Sequence, residues 1–134
     1  VLKYIYPAAD VPVIQFSLDR TKSPLQHYQL SQKLQFLRDE DVLIIGSGNI
    51  VHNLRLINFR NDSGSDWANS ANETLKKSVL ADDHESLVNY QNLGEEVRLA
   101  IPTPEHYLPL VYVLGLKNED EKIEIFNDVV ELNS

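Results

Sequence analysis

Two histidines of this sequence lie where an α/β domain usually places its chemistry. His52 follows the turn 46-GSGN-49, which comes directly after the apolar run 42-VLII-45. His106 follows 102-PTPE-105, whose two prolines restrict the direction of the chain. Imidazole rings bind transition metals and exchange protons near neutral pH. The spacing alone leaves two interpretations open: a joint site of His52 and His106, and the more common case of a pair of hydrogen-bonded structural histidines.

The glycine-containing turn could instead hold a phosphate. A dinucleotide fingerprint requires a third glycine at position 51, where this chain has Val51, and a P-loop requires a lysine that is absent. A lone Gly-x-Gly is a weak signal for nucleotide binding. We expect the glycines to let the chain turn tightly after an apolar strand and to project His52 inward.

The other two histidines have local contexts that do not favour a functional site. His27 lies within a capped helix and is predicted to be a surface or boundary residue. His84 belongs to 82-DDHE-85, which could be taken for a metal cluster. Consecutive charged residues on a helix do not share one face, so a solvated acidic turn is the favoured interpretation.

Composition excludes several classes of function. The 134 residues carry a net charge of −8, which argues against nucleic-acid partners and against an anionic membrane surface. No run of eighteen apolar residues occurs, so no membrane-spanning helix is predicted. With no cysteine, thiolate metal sites and cysteine nucleophiles are excluded, and a cytoplasmic location is expected.

The order of the elements predicts an α/β fold. The runs 11-VPVIQFSL-18 and 42-VLIIG-46 resemble buried strands, and between them Ser23, Pro24 and Gln26 form a helix start, with Leu30, Leu34 and Leu37 as an apolar stripe. A strand–helix–strand order implies a parallel layered sheet with helices on both faces. Further along we predict a loop at 61–66, two helices between 67 and 90, a helix from Pro104 that stops at Gly115, and a strand or hairpin at 122–134.

Three blocks of the sequence resemble one known family. They are YPAADVPVIQFSLD (6–19), VLIIGSGNIVHNLR (42–55) and PTPEHYLPLVYVLG (102–115). Their order and spacing resemble the bacterial 4,5-DOPA extradiol dioxygenase-like family, which belongs to the class III extradiol ring-cleavage dioxygenases. The resemblance implies the α/β layered sheet of that class.

The resemblance also implies residue roles. His52 would lie in the active site as a metal ligand or as an acid/base, and His106 would be a metal ligand. Asn53 and Glu105 are polar residues adjacent to these histidines in the sequence, and their chemistry suits supporting partners. The implied cofactor is non-haem Fe(II) or Zn(II), and the implied reaction opens a catechol ring, such as that of DOPA, with O2.

Members of the family are about twice as long as this chain. That length is on the order of the smallest usual size of a two-domain protein. Residues 1–134 are therefore expected to be the C-terminal portion, without the N-terminal half that supplies further histidines. We expect such a chain to have little activity alone and to self-associate through its exposed apolar surface. The alternative function is a non-catalytic metal-binding or interaction module with the same fold.

Overall fold

Six α-helices account for most of the regular structure in the part of the chain that the structure describes. The computed structural model describes residues 2–57 and 64–131. The helices are α1 Leu2–Ile5, α2 Pro24–Gln32, α3 Asp66–Leu80, α4 His84–Val88, α5 Glu95–Ala100 and α6 Leu108–Leu116. Short 3-10 helices occupy Gln35–Glu40, Leu54–Leu56 and Tyr90–Asn92.

The predicted α/β sheet is wrong for the part of the chain that the structure describes. Residues 11–18, 42–46 and 122–131 contain neither helix nor strand there. An apolar run favours an extended backbone, but a strand also needs a second backbone that supplies hydrogen bonds along the ladder. Neither of the first two runs finds that partner, so both lie as irregular chain. Residues 132–134 of the third predicted strand, and 61–63 of the predicted loop, lie outside the described residues.

Helix α2 begins where the sequence predicts. The Ser23 hydroxyl accepts a hydrogen bond from the Gln26 N–H at 3.3 Å, and the Gln26 side chain accepts one from the Ser23 N–H at 2.9 Å. Pro24 occupies the first turn, where it needs no hydrogen-bond partner. The predicted leucine stripe is not the buried face, because the buried residues of α2 are His27 and Ser31.

Replacing Ser23 by alanine is expected to lower the free energy of unfolding by about 1 kcal/mol, the usual contribution of an N-cap. Urea unfolding of the chain measures it. Ser70→Ala is the matched control, because Ser70 is exposed in the middle of α3 and alanine favours helix there. Equal unfolding midpoints for the two variants would show that the cap contributes nothing.

The two helices predicted between 67 and 90 are confirmed as α3 and α4. Helix α3 buries one stripe with spacings of three and four residues, as an amphipathic helix does, and packs it against α5. The stripe consists of Ala68, Ala71, Leu75 and Val79. Helix α6 is apolar on nearly every side, which is typical of a helix inside a core, and it packs against α2.

Gly115 lies within α6 and does not stop it, since the helix continues to Leu116. A Cβ at position 115 would overlap the Ser31 hydroxyl and lie 2.9 Å from the Tyr28 carbonyl oxygen. The glycine therefore allows α2 and α6 to approach closely, which explains its place in the helix.

His27 is fully buried between α2 and α6, so the prediction of a surface or boundary position is wrong. Its Nε2 lies 3.0 Å from the Asp19 carbonyl oxygen and its Nδ1 lies 2.9 Å from the Tyr112 hydroxyl. A carbonyl only accepts, so Nε2 donates there and a neutral ring accepts the Tyr112 proton at Nδ1. Both ring nitrogens are satisfied, and His27 is a structural histidine.

Candidate functional site

His52 is buried between three segments of backbone. It is 5% exposed, and its backbone N–H donates to the Ala100 carbonyl at 3.0 Å. Its Nδ1 lies 3.0 Å from the Asn49 carbonyl oxygen, and its Nε2 lies 2.8 Å from the Thr103 carbonyl oxygen. The end of α5 and the turn that follows it therefore fix both the position and the orientation of the ring.

His106 is exposed at the end of the proline-containing turn. The Pro104 carbonyl accepts hydrogen bonds from the N–H groups of Tyr107 at 2.9 Å and Leu108 at 2.8 Å. Helix α6 therefore begins at Leu108, four residues later than the predicted start at Pro104. The turn leaves the His106 ring at the surface directly before the helix.

The structure brings the two predicted site residues together. The ring centroids of His52 and His106 are 4.9 Å apart, and the ring planes meet at 35°. The backbones also join, because the Asn49 N–H donates to the His106 carbonyl at 3.0 Å. Two motifs separated by about fifty residues thus place a buried and an exposed imidazole next to each other.

The two glycines of the GSGN turn are required by close packing. A Cβ on Gly48 would overlap the His106 carbonyl oxygen. A Cβ on Gly46 would lie 2.9 Å from the Pro109 carbonyl oxygen, tighter than real Cβ contacts. Among the residues that the structure describes, only Gly94 is a glycine with positive φ. The predicted reason for these glycines, a tight turn that projects His52, is therefore wrong. They are needed because a neighbouring backbone packs against them, and they have no special turn conformation.

The two predicted supporting residues do different things. The Asn53 amide, which is buried, donates to the Leu99 carbonyl at 2.7 Å and bonds the segment after His52 to α5. The Glu105 carboxylate accepts from the Thr103 hydroxyl at 2.9 Å. Hydrogen bonds from its own backbone N–H and from Thr103 lower the pKa of Glu105. Glu105 therefore places a negative charge beside the exposed imidazole at neutral pH.

The donor set for a metal ion is incomplete within the described ranges 2–57 and 64–131. No group of three or more histidine, aspartate or glutamate side chains there is close enough to hold a metal ion. The two imidazoles suit Fe(II) or Zn(II) as ligands. His106 is available in its present position, whereas both nitrogens of His52 face carbonyl oxygens. His106 therefore fits the role of a metal ligand as it stands, whereas His52 could bind a metal only if one of its nitrogens left its carbonyl partner.

The 82-DDHE-85 turn lies apart from this hydrogen-bonded site. Its acidic residues are exposed, as predicted for a solvated turn. The His84 Nδ1 lies 2.6 Å from the Tyr28 hydroxyl, and its Nε2 lies 3.5 Å from an Asp82 carboxylate oxygen. Lys117 neutralises Asp82 at 3.0 Å. His84 thus connects α4 to α2.

Sequence reasoning missed the groups that hold His52. These groups are the backbone carbonyls of Asn49, Ala100 and Thr103, and no pattern of side chains in the sequence predicts their contacts. It also missed Tyr107, which is fully buried beside the turn and donates to the Leu87 carbonyl at 2.9 Å. Burial raises the pKa of the Tyr107 phenol far above its ordinary value, so Tyr107 stays a neutral donor that anchors α6 to α4.

A comparison with protein families identifies the class. The family described as the catalytic LigB subunit of aromatic ring-opening dioxygenase matches residues 2–133. The chain belongs to this family, which confirms the resemblance found in the three sequence blocks. None of the helices in the described part of the chain is long and apolar enough to cross a membrane.

Individual relatives are similar over the whole chain. The 4,5-DOPA dioxygenase extradiol of Escherichia coli (strain K12) is 42% identical over 100% of this chain and 51% of its own length. The protein of the same name from Beta vulgaris is 34% identical over 95% of this chain and 47% of its own length. A crystal structure of an uncharacterized protein from Escherichia coli K12 superposes with a TM-score of 0.87 at 41% identity and covers 99% of this chain and 56% of that one. The chain spans about half the length of the curated relatives it matches.

Proposed function

We propose that this chain is part of a metal-dependent extradiol dioxygenase that opens a catechol ring with O2. The observation that carries the proposal is the meeting of the two motif histidines, 4.9 Å apart, in a chain of the LigB family. The names of the relatives from Escherichia coli and Beta vulgaris support a DOPA-like catechol as substrate. A cytoplasmic location fits this chemistry.

In this proposal His106 is a metal ligand, because its ring is exposed and lies at the open side of the site. The metal, Fe(II) or Zn(II) by the chemistry of imidazole donors, supplies Lewis acidity and, as iron, access to O2. Glu105 adds negative charge next to His106, which favours a bound cation.

His52 is proposed to hold or move the catechol proton. Both of its ring partners are carbonyl oxygens, and a neutral imidazole can donate to only one of them. The other nitrogen also faces a carbonyl oxygen, so in this proposal His52 exchanges a proton with the catechol only after one of these two carbonyl contacts opens. A second role, direct metal ligation by His52, requires Nε2 to leave the Thr103 carbonyl.

Residues 1–134 are proposed to be the C-terminal portion of the enzyme. Two imidazoles would hold a metal weakly, so we expect little oxygen uptake from the chain alone. The incomplete donor set among the described residues favours one second candidate, a metal-binding or interaction module without catalysis. The two candidates differ in turnover.

Oxygen uptake by a chimera distinguishes the dioxygenase from the non-catalytic module. The chain replaces the matched half of the Escherichia coli relative, and the protein is loaded with Fe(II) without air and given a panel of catechols that includes DOPA. Ring cleavage predicts uptake together with a new visible-absorbing product. A folded, metal-loaded chimera that consumes no O2 with any catechol would reject the dioxygenase proposal and favour the module.

A further inference from the structure

Thr103 contacts both parts of the candidate site. Its carbonyl oxygen lies 2.8 Å from His52 Nε2, and its hydroxyl donates to the Glu105 carboxylate at 2.9 Å. Glu105 directly precedes His106, the proposed metal ligand. One residue therefore contacts the buried histidine through its backbone and the acidic neighbour of the exposed histidine through its side chain.

The two contacts of Thr103 depend on different things. Pro102 and Pro104 flank the residue with fixed φ angles, and a residue that precedes proline is restricted to extended conformations. The direction of the Thr103 carbonyl toward His52 is therefore set by the turn and not by the side chain at position 103. The exposed Glu105 side chain has no such restriction, because several rotamers are open to it. Its position depends on the hydrogen bonds that its carboxylate accepts.

Arg20 is a second candidate partner for the same carboxylate. Hydrogen bonds from its own backbone N–H and from Thr103 lower the pKa of Glu105, and the charges of Arg20 and His106 lower it further. Both of these side chains therefore lie near the carboxylate. Arg20 is exposed, and a guanidinium pairs readily with a carboxylate through two parallel hydrogen bonds. Without the Thr103 hydroxyl, the carboxylate would be free to turn to Arg20, which would neutralise its charge.

We propose that Thr103 is a positioning residue of the metal site, whose hydroxyl keeps the Glu105 carboxylate beside His106 and away from Arg20. The inference rests on the proposed function, in which His106 binds the metal and the negative charge of Glu105 favours that cation. Thr103 itself does not bind the metal and acts only through Glu105.

The zinc affinity of the chimera tests this role, measured with Zn(II) alone in competition with a chelator of known affinity. We expect Thr103→Val, which keeps the shape of the side chain and removes the hydroxyl, to bind zinc about 10-fold more weakly, the lower limit for loss of a residue that supports a metal ligand. Thr103→Ser retains the hydroxyl and should bind zinc as the parent chimera does. Thr74→Val is the matched control, because the Thr74 hydroxyl donates to the Ser70 carbonyl on α3.

Two further backgrounds show whether Thr103 acts through Glu105. In Glu105→Gln, which lacks the charge to be positioned, Thr103→Val should cause no further loss of zinc affinity. In Arg20→Gln, which lacks the competing charge, the loss should be smaller than in the parent chimera. A 10-fold loss that persists in Glu105→Gln would overturn the proposal, because Thr103 would then act by another route.

Failure of this proposal differs from failure of the proposed function. If Thr103→Val binds zinc as tightly as the parent chimera, Thr103 is not a positioning residue, and the proposed function stands. A lower unfolding midpoint with unchanged zinc affinity has the same meaning, since it assigns the hydroxyl a structural role only. A folded parent chimera that binds no zinc would reject the metal site itself, and the role of Thr103 with it.

Discussion

Alanine at position 48 is expected to lower the free energy of unfolding by about 3 kcal/mol, at the upper end of the usual cost of overpacking. The added Cβ would overlap the His106 carbonyl oxygen, which is a backbone atom and cannot rotate away. The same carbonyl accepts the Asn49 N–H at 3.0 Å, so separating the two segments also breaks that hydrogen bond. Urea unfolding of Gly48→Ala measures the loss.

The neighbouring residue provides the control for this variant. Ser47 is exposed, and Ser47→Ala adds no atom toward the proline-containing turn. We expect its unfolding midpoint to match that of the wild type. If Gly48→Ala unfolds at that midpoint too, the close approach of the two motifs does not stabilise the fold.

Replacing His52 by alanine is expected to lower catechol-dependent oxygen uptake of the chimera by at least about 100-fold, the lower limit for loss of a general acid or base. The variant also leaves the carbonyls of Asn49 and Thr103 without their ring partner, so its folding must be checked. Uptake equal to that of the parent chimera would remove His52 from the chemistry.

Metal content separates the roles of the two histidines. We expect His52→Ala to keep its iron and lose turnover, and His106→Ala to lose iron, since the exposed His106 ring is the proposed ligand. His84→Ala is the control, because His84 bonds to Tyr28 away from the site. Loss of iron from His52→Ala would instead favour direct ligation by His52.

Local signals allowed helices α2 and α3 to be predicted, because the causes of these two helices lie within a few residues. The Ser23 cap with Pro24 and Gln26 is a contact within one turn, and it forms as the spacing indicates. The α3 stripe likewise depends only on helical periodicity. The lack of strands at 11–18 and 42–46 could not be predicted in the same way. An apolar run becomes a strand only if another backbone pairs with it, and a local pattern does not show whether that partner exists.

Distant partners explain the remaining differences. His27 is buried because Tyr112, 85 residues away, supplies a hydroxyl, and its position in a capped helix carries no sign of that. Position 48 must be glycine because the His106 carbonyl, 58 residues later in the chain, packs against it. Its local sequence is indistinguishable from that of a turn glycine. The family resemblance implied a shared site for His52 and His106, and the structure places their rings side by side, whereas the carbonyls that orient His52 were not predicted.

The most direct test of the joint site is anomalous diffraction from crystals of the Fe(II)-loaded chimera. The account predicts one iron peak at about 2.0–2.1 Å from a ring nitrogen of His106, the usual range for zinc–imidazole bonds. The His52 ring lies beside it and is still held by the Thr103 carbonyl. An iron peak away from His106, or a site in which the two rings have separated, would contradict it.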